Sequence, residues 1–171
     1  MMLTTGHVGI GVRNARAEDA LALVDVFRES WRHAYCGVIP AMHLARMISR
    51  RDIAWWRSAI RSEPHFLVLE VCGKIAGYAT CGGIRSARRT GGEIYELYLT
   101  PVHQGIGLGE HLFEACRQRL DADGHDGLIV WSLSDNQGAR DFYRRRGGVA
   151  VMKSREAFSG RQLQKIAYGW D

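Results

Sequence analysis

Residues 92–109 read Gly-Glu-Ile-Tyr-Glu-Leu-Tyr-Leu-Thr-Pro-Val-His-Gln-Gly-Ile-Gly-Leu-Gly, and this stretch decides the fold. Residues 94–99 have the composition of a β-strand, which ends before Pro101 because proline has no amide hydrogen for a sheet. A glycine-rich turn at 104–109 follows and leads into an amphipathic segment that predicts a helix. In such a unit the turn amides and the positive end of the helix dipole point at one place, which suits a phosphate group.

Three kinds of turn fit a glycine-rich segment between a strand and a helix. A Walker P-loop ends in Gly-Lys-Ser/Thr, whereas this chain has Leu108-Gly109-Glu110. A dinucleotide-binding turn, G-x-G-x-x-G counted from Gly105, would need a glycine in place of Glu110, and it usually lies in the first βα unit of its domain. The third interpretation is a flexible turn that only lets the helix pack closely on the sheet, and this segment alone leaves it open.

Two further stretches separate these interpretations. Residues 136–147 read Asn-Gln-Gly-Ala-Arg-Asp-Phe-Tyr-Arg-Arg-Arg-Gly, and residues 30–40 read Ser-Trp-Arg-His-Ala-Tyr-Cys-Gly-Val-Ile-Pro. With the glycine-rich turn, they resemble the GNAT superfamily of acyl-CoA-dependent N-acyltransferases. That family has Q/R-x-x-G-x-G/A after its fourth strand and an Asn after its fifth, followed by a Tyr in the next helix. Many members also have W-x(3)-Y-x-G-x-x-P between their first two helices, so the resemblance spans nearly the whole chain.

The resemblance implies an α/β fold with a mixed α+β sheet, in the order β-α-α-β-β-β-α-β-α-β-β. In this layout a central, mostly antiparallel sheet is splayed between strands 4 and 5 and flanked by helices. No repeat, linker or low-complexity segment interrupts the chain, and its 171 residues suit one compact domain. We therefore expect residues 1–171 to form a single domain.

Local patterns place the elements along the chain. Apolar periodicity predicts helices at 19–31, shortly after Pro40, at 52–61 with Asp52 as N-cap, at 107–123 and at 137–146. The predicted strands are 7–13, 66–72, 75–81, 94–99, 128–133, 149–153 and 163–168. Gly73-Lys74 is expected to form the turn of the first hairpin. The inward side of the 107–123 helix is predicted to consist of Leu108, Leu112, Phe113, Cys116 and Leu120.

The expected coenzyme site combines the turn with what the resemblance implies. The backbone at the turn would bind the pyrophosphate of acetyl-CoA, at Gln104, Gly105, Ile106, Gly107, Leu108, Gly109 and Glu110. Glycine is needed at 105, 107 and 109, because a side chain would hold the phosphates away from the amides. The resemblance implies that the pantetheine arm adds to the edge of the fourth strand at Leu97, Tyr98 and Leu99. Asn136 matches the family residue that contacts this arm and also suits a helix N-cap, and both roles stay open.

Acyl transfer to an amine needs an acid for the leaving thiolate and a base for the amine. Tyr143 matches the family's tyrosine at the coenzyme and is the predicted acid; the alternative is that Phe142 and Tyr143 only pack the helix. Glu93 and Glu96 are the candidate bases, on opposite faces of the central strand because side chains alternate. Glu96 is preferred, acting directly or through water, because it lies nearer the expected splay.

Two positions depart from the family pattern. Trp131 stands where some members place a carboxylate on the fifth strand, so no base is carried over from there. Gly148 stands where the family usually has an aromatic residue, which questions the packing beneath Tyr143. An acceptor wall is expected in the helical region that carries three tryptophans, although core filling is an equal alternative for Trp31, Trp55 and Trp56.

The composition is ordinary for a globular protein, with 46% apolar and 24% charged residues and a net charge of +5. This mild positive charge suits a polyanionic coenzyme, and the arginines at 144–146 are predicted to be a solvated helix face rather than a nucleic-acid site.

No apolar segment approaches the about 18 residues of a membrane span. The cysteines and histidines lack zinc-type spacing, so we expect no metal and reduced, buried thiols in a cytoplasmic protein, although Cys72 and Cys81 could face each other on neighbouring strands.

The sequence therefore predicts an N-acetyltransferase that uses acetyl-CoA and acts by direct attack in a ternary complex, without a cysteine acyl-enzyme. The alternative from another class is a sensor of the same fold that binds acyl-CoA without turnover. The acceptor is a primary amine of a small molecule or a protein, and the scarcity of acidic residues at 31–61 disfavours a polycation. No nucleic-acid or membrane partner is expected, and a homodimer is compatible with the family.

Overall fold

A mixed sheet of seven strands forms the centre of the structure. The strands are β1 Ile10–Asn14, β2 His65–Val71, β3 Lys74–Gly83, β4 Gly92–Leu99, β5 Leu128–Leu133, β6 Val149–Phe158 and β7 Arg161–Trp170. Their spatial order is β1-β2-β3-β4-β5-β7-β6, and every neighbouring pair is antiparallel except β4–β5, which confirms the predicted mixed sheet. This computed structural model describes residues 9–86 and 89–171, so residues 7 and 8 of the first predicted strand lie outside it.

The described residues form five α-helices. They are α1 Ala20–Tyr35, α2 Ala41–Arg50, α3 Ile53–Ser62, α4 Leu108–Ala122 and α5 Gln137–Arg145. Three of them lie between β1 and β2, where the family order has two, because Arg51 and Asp52 leave helical geometry and a new helix begins at once. The Asp52 carboxylate accepts a 2.8 Å hydrogen bond from the Trp55 amide, which confirms the predicted N-cap. None of these helices combines the length and the apolarity needed to cross a membrane.

Two hydrophobic clusters pack against the sheet, one on each face. Helices α1, α2 and α3 cover one face, called here the α1–α3 face, and α4 and α5 cover the other, the α4–α5 face. Trp31 and Trp56 are 8% and 0% exposed in the cluster of the α1–α3 face, so the core interpretation applies to them. The predicted inward side of α4 is confirmed, since its five side chains are at most 5% exposed: Leu108, Leu112, Phe113, Cys116 and Leu120.

The β2–β3 and β6–β7 hairpins each turn through two residues with positive φ. In the first hairpin these are Cys72 and Gly73, with φ values of 50° and 77°, so the turn lies one residue earlier than predicted. Such a pair fits the type I′ geometry that matches the twist of the flanking strands. The final hairpin turns at Ser159 and Gly160, and its strands are longer than predicted.

The cysteines are all free, but their expected placement was only partly right. Cys72 is exposed in the hairpin turn, so the expectation that it could face Cys81 across two strands is wrong. Cys81 is buried and lies beside Cys116 of α4 instead. Cys36 is exposed, so two of the four thiols are buried and two are not.

The two central strands separate, as predicted. β4 and β5 pair only over residues 92–94 and 128–130, while β5 continues to pair with β7 through Leu133. A bulge in β4 marks the separation, because Ile94 pairs with Cys81 and Glu96 with Thr80, which leaves Tyr95 as the extra residue. A bulge bends its strand and increases the local twist, so β4 leaves β5 at this point and opens a cleft.

Candidate active site

A cavity of about 1050 Å³ opens where β4 and β5 separate. The end of α1, the second half of β4, the glycine-rich turn, β5 and α5 line it. The structure therefore brings most of the predicted site residues to one place: Glu96, Leu97, Tyr98, Leu99, Gln104, Gly105, Gly107, Gly109, Asn136 and Tyr143. Glu93, Ile106, Leu108 and Glu110 do not line it, and Leu108 belongs to the core.

The three glycines of the turn have two different roles. Gly105 and Gly107 have φ values of 75° and 84°, which favour glycine, and the space beside each is open. Gly107 is the N-cap of α4, whose first amides have no partner within the helix and point outward from the turn. Gly109 differs, since a Cβ atom there would lie 2.9 Å from the Phe142 ring. Close packing of α4 on α5 therefore requires glycine at 109, whether or not a phosphate binds there.

An arginine offsets the carboxylate in the first turn of α4. The Glu110 side chain is 61% exposed, and its Oε2 lies 3.7 Å from the Arg146 Nη2. The Arg146 guanidinium stacks 3.6 Å from the centre of the Phe142 ring and donates a hydrogen bond to the Phe142 carbonyl. Burial lowers the pKa of Arg146, and its Nε is buried without a partner among the described residues. A cation therefore lies beside the turn, and the Glu110 charge is partly neutralised.

Asn136 follows β5 and Gln104 follows β4, and the side chain of each forms a hydrogen bond with the backbone. The Asn136 Oδ1 accepts a 3.1 Å hydrogen bond from the Ala139 amide, which confirms that Asn136 caps α5. The Gln104 Nε2 donates a 3.0 Å hydrogen bond to the Leu99 carbonyl, which fixes the turn to the end of β4. Both side chains line the cavity, so capping does not prevent Asn136 from contacting a ligand.

Tyr143 lies on α5 at the α4–α5 face, is 5% exposed and borders the cavity. Burial raises its pKa above the usual phenol value, so the phenol stays protonated at neutral pH. Trp170 packs against it with ring centres 6.0 Å apart and fills the space beside Gly148. The missing aromatic residue at 148 is thus replaced by an indole from β7.

Glu96 is held by an arginine that the sequence did not single out. The Arg51 Nη1 lies 2.7 Å from Oε1 and 3.1 Å from Oε2 of Glu96. The guanidinium of Arg51 also stacks 4.3 Å from the Phe27 ring centre and 4.2 Å from that of Trp55. Burial raises the pKa of Glu96, and Arg51 acts in the opposite direction. The carboxylate is fixed in the cleft, with a proton affinity set by these two opposing effects.

Glu93 lies on the same face of the sheet as Glu96, so the expected opposite faces were wrong. Glu93 pairs with Gly82 and Glu96 with Thr80, and these partners are two residues apart on β3. The bulge at Tyr95 adds one residue and cancels the alternation that the sequence suggests. Glu93 accepts a 3.1 Å hydrogen bond from the Arg85 amide outside the cavity.

The aromatic side chains of Tyr35, Tyr98 and Trp131 complete the cavity, and the sequence had predicted only Tyr98 among them as a site residue. The hydroxyl groups of Tyr35 and Tyr98 are 2.7 Å apart, and Tyr35 also lies beside Asn136. Trp131 of β5 lines the same space, whereas Trp55 does not. The Trp-x(3)-Tyr motif contained a signal for Tyr35, but nothing in the sequence indicated Arg51, which lies far from β4 along the chain.

A family model described as the acetyltransferase (GNAT) family matches residues 22–148. The chain belongs to the acetyltransferase (GNAT) family. Membership of this family identifies the protein as an acyltransferase. The described residues contain no group of three or more His, Cys, Asp or Glu side chains arranged to bind a metal ion.

Individual GNAT proteins resemble this member over nearly their full length. An uncharacterized N-acetyltransferase YuaI of Bacillus subtilis is 28% identical over 163 residues, covering 94% of this chain and 92% of that protein. The L-amino acid N-acyltransferase MnaT of Escherichia coli is 24% identical and covers 83% and 81%. The PaiA N-acetyltransferase of Thermoplasma acidophilum, solved in complex with coenzyme A, superimposes with a TM-score of 0.74 at 18% identity, covering 92% and 98%.

Proposed function

We propose that this GNAT protein transfers the acetyl group of acetyl-CoA to a primary amine by direct attack in a ternary complex. The observation that carries the proposal is the cleft between β4 and β5, which places a phosphate-type turn on one side and a carboxylate on the other. The similarity to PaiA, which was solved with coenzyme A, supports the choice of coenzyme. Residues 1–171 act as one domain in this proposal, because both hydrophobic clusters share one sheet.

The coenzyme would lie along the turn and the edge of β4. Its diphosphate accepts hydrogen bonds from the amides around Gly105 and Gly107, where the space beside the backbone is open. The pantetheine arm adds to β4 beyond Ile94, because that edge has no β5 partner there. Asn136 contacts the arm from the opposite side of the cleft.

The amine would approach from the other side and lose a proton to Glu96, directly or through one water molecule. A carboxylate whose pKa is raised by burial is a better base near neutral pH than an exposed one. The amine nitrogen then forms a bond to the acetyl carbon, and the oxyanion accepts a hydrogen bond from a β4 amide at 97–99. One such donor stabilises the transition state by about 3 kcal/mol.

Tyr143 would complete the transfer as general acid. The carbon–sulfur bond breaks and the phenol gives its proton to the thiolate, and the phenolate then takes up, through water, the second proton that the nitrogen loses as the adduct collapses to the amide. A thiolate whose acid has a pKa of about 8.5 takes up a proton at neutral pH, so coenzyme A leaves as the thiol. No cysteine borders the cavity among the described residues, which supports direct attack rather than an acyl-enzyme.

One observation favours a second candidate, a sensor that binds acyl-CoA without turnover. Glu96 already forms an ion pair with Arg51, and an arginine-bound carboxylate is a weaker base than a free one. Calorimetry with coenzyme A and mass spectrometry of an amine panel incubated with acetyl-CoA separate the two candidates. Acetylated amine without acetylated protein supports the enzyme, whereas binding without product on any amine supports the sensor.

Four free cysteines fit the reducing cytoplasm, which we propose as the location.

A further inference from the structure

The cavity has two halves that belong to opposite faces of the sheet. The turn, Phe142 and Tyr143 lie on the α4–α5 face, where the coenzyme is proposed to bind. Tyr98 lies on the α1–α3 face, and Trp131 shares that face because it stands two residues before Leu133 on β5. Because the sheet is open where β4 and β5 separate, an acceptor on the α1–α3 face can reach a coenzyme bound on the other face.

Three aromatic residues, Tyr35, Tyr98 and Trp131, line the half on the α1–α3 face, beside Ser30, His33 and Ala34 of α1. Tyr35 and Tyr98 share one hydrogen bond between their hydroxyl groups, and both residues border the space. Trp131 is partly exposed, and its ring lies 5.0 Å from the ammonium nitrogen of Lys165. Flat, rigid surfaces of this kind pack best against another aromatic ring, stacked or edge-on.

Few carboxylate groups line this half of the cavity. Glu96 and Asp135 are the carboxylates among the described residues that line the cavity, and Asp135 is exposed. Glu96 is already paired with Arg51, and Lys165 places a second cation at Trp131. A ligand with several ammonium groups would lose their hydration and find no unpaired buried carboxylate in return.

We infer that the acceptor is a monoamine with an aromatic body, of the arylalkylamine class, rather than a polyamine, an aminoglycoside or a free amino acid. This inference rests on the proposed acetyl transfer. The amine nitrogen lies at Glu96, and the aryl ring packs against Tyr98 and Trp131. A free amino acid would also bring a carboxylate, but the guanidinium at Glu96, that of Arg51, is already paired, and the arginines that line the cavity, Arg145 and Arg146, belong to the end of α5 on the coenzyme side.

The test compares phenethylamine, n-propylamine, L-phenylalanine, spermidine and kanamycin with the full chain and acetyl-CoA. Product is measured by mass spectrometry, because Cys36 and Cys72 are exposed and would react with a thiol reagent. We expect kcat/KM for phenethylamine to exceed that of each other amine by about tenfold or more. Trp131→Leu should bring the ratio of phenethylamine to n-propylamine close to one, while Trp131→Phe should keep most of it. Calorimetry with coenzyme A checks that both variants fold.

The outcomes distinguish this inference from the proposal beneath it. Highest kcat/KM for spermidine, kanamycin or L-phenylalanine would overturn the acceptor class and leave acetyl transfer intact. A ratio that Trp131→Leu leaves unchanged would also overturn the proposed packing of the aryl ring against Trp131. Coenzyme binding without product on any amine would remove the proposed activity and this inference together.

Discussion

A Cβ atom on Gly148 would lie 2.6 Å from the Cζ2 of Trp170, so the indole of β7 occupies the space that a side chain at 148 would need. The Trp170 Nε1 also donates a 2.8 Å hydrogen bond to the Arg146 carbonyl at the end of α5. The same ring packs 5.1 Å from the centre of Phe113 and 6.0 Å from that of Tyr143. Trp170 thereby supports the helix that carries the proposed acid.

Replacing Gly148 by a large side chain and Trp170 by a small one tests whether the two positions share the same space. Gly148→Phe should destabilise the fold by about 1–3 kcal/mol through overpacking, and Trp170→Ala by about 3–5 kcal/mol through a cavity. The double variant should lose less than the sum by about 1 kcal/mol or more, because the new ring fills the space that the indole leaves. Urea unfolding measures all three, and simple additivity would contradict the replacement.

Tyr143→Phe should lower kcat by about tenfold or more, because the departing thiolate loses its proton donor. The affinity for coenzyme A should stay nearly unchanged, since the ring and its packing remain. Tyr168→Phe is the control, because Tyr168 is also buried and its ring centre lies 6.0 Å from that of Tyr143, yet it does not line the cavity. This control loses only the 3.2 Å hydrogen bond that the Tyr168 hydroxyl accepts from Arg140. Wild-type turnover in Tyr143→Phe would remove Tyr143 from the mechanism.

Gly107→Leu should weaken coenzyme A binding about tenfold or more, which corresponds to about 1.4 kcal/mol. The side chain would enter the open space beside the turn amides and would strain a backbone with a φ of 84°. Gly124→Leu provides the control at the other end of α4, where φ is 78° and the space is also open. Calorimetry should find a loss for position 107 only, and equal losses in both variants would mean that strain, not the phosphate site, is responsible.

Arg51→Met should move the acidic limb of the pH profile of kcat/KM to higher pH. The base must be ionised to act, burial raises the pKa of Glu96, and Arg51 lowers it, so removing the guanidinium raises the pKa further. More of the enzyme is then protonated and inactive at a given pH on that limb. Glu63 and Arg85 also act on Glu96, in opposite directions, and stay in place.

Arg50→Met is the control for this profile, since Arg50 is exposed at the end of α2. Glu96→Gln should remove the acidic limb and lower kcat/KM by about a hundredfold. A limb that does not move in Arg51→Met would assign the base to another group or to bulk water.

Local patterns predicted those parts of the molecule whose physical cause lies within a few residues. Asp52 and Asn136 were identified as N-caps because their side chains bond to amides three residues later. The inward side of α4 followed from helical periodicity, and the bend at Gly107 followed from the freedom of glycine at positive φ. Family resemblance supplied the strand order and the cleft, which these patterns do not contain.

The sequence by itself thus determined the strand–turn–helix unit and the caps. Only the tertiary structure showed that Glu93 and Glu96 share one face of the sheet, because a bulge at Tyr95 cancels the alternation that would place them on opposite faces. The pairing of Glu96 with Arg51 joins residues 45 positions apart, and chain packing alone brings them into contact. Local periodicity describes one element at a time, whereas contacts between elements depend on how whole faces fit together.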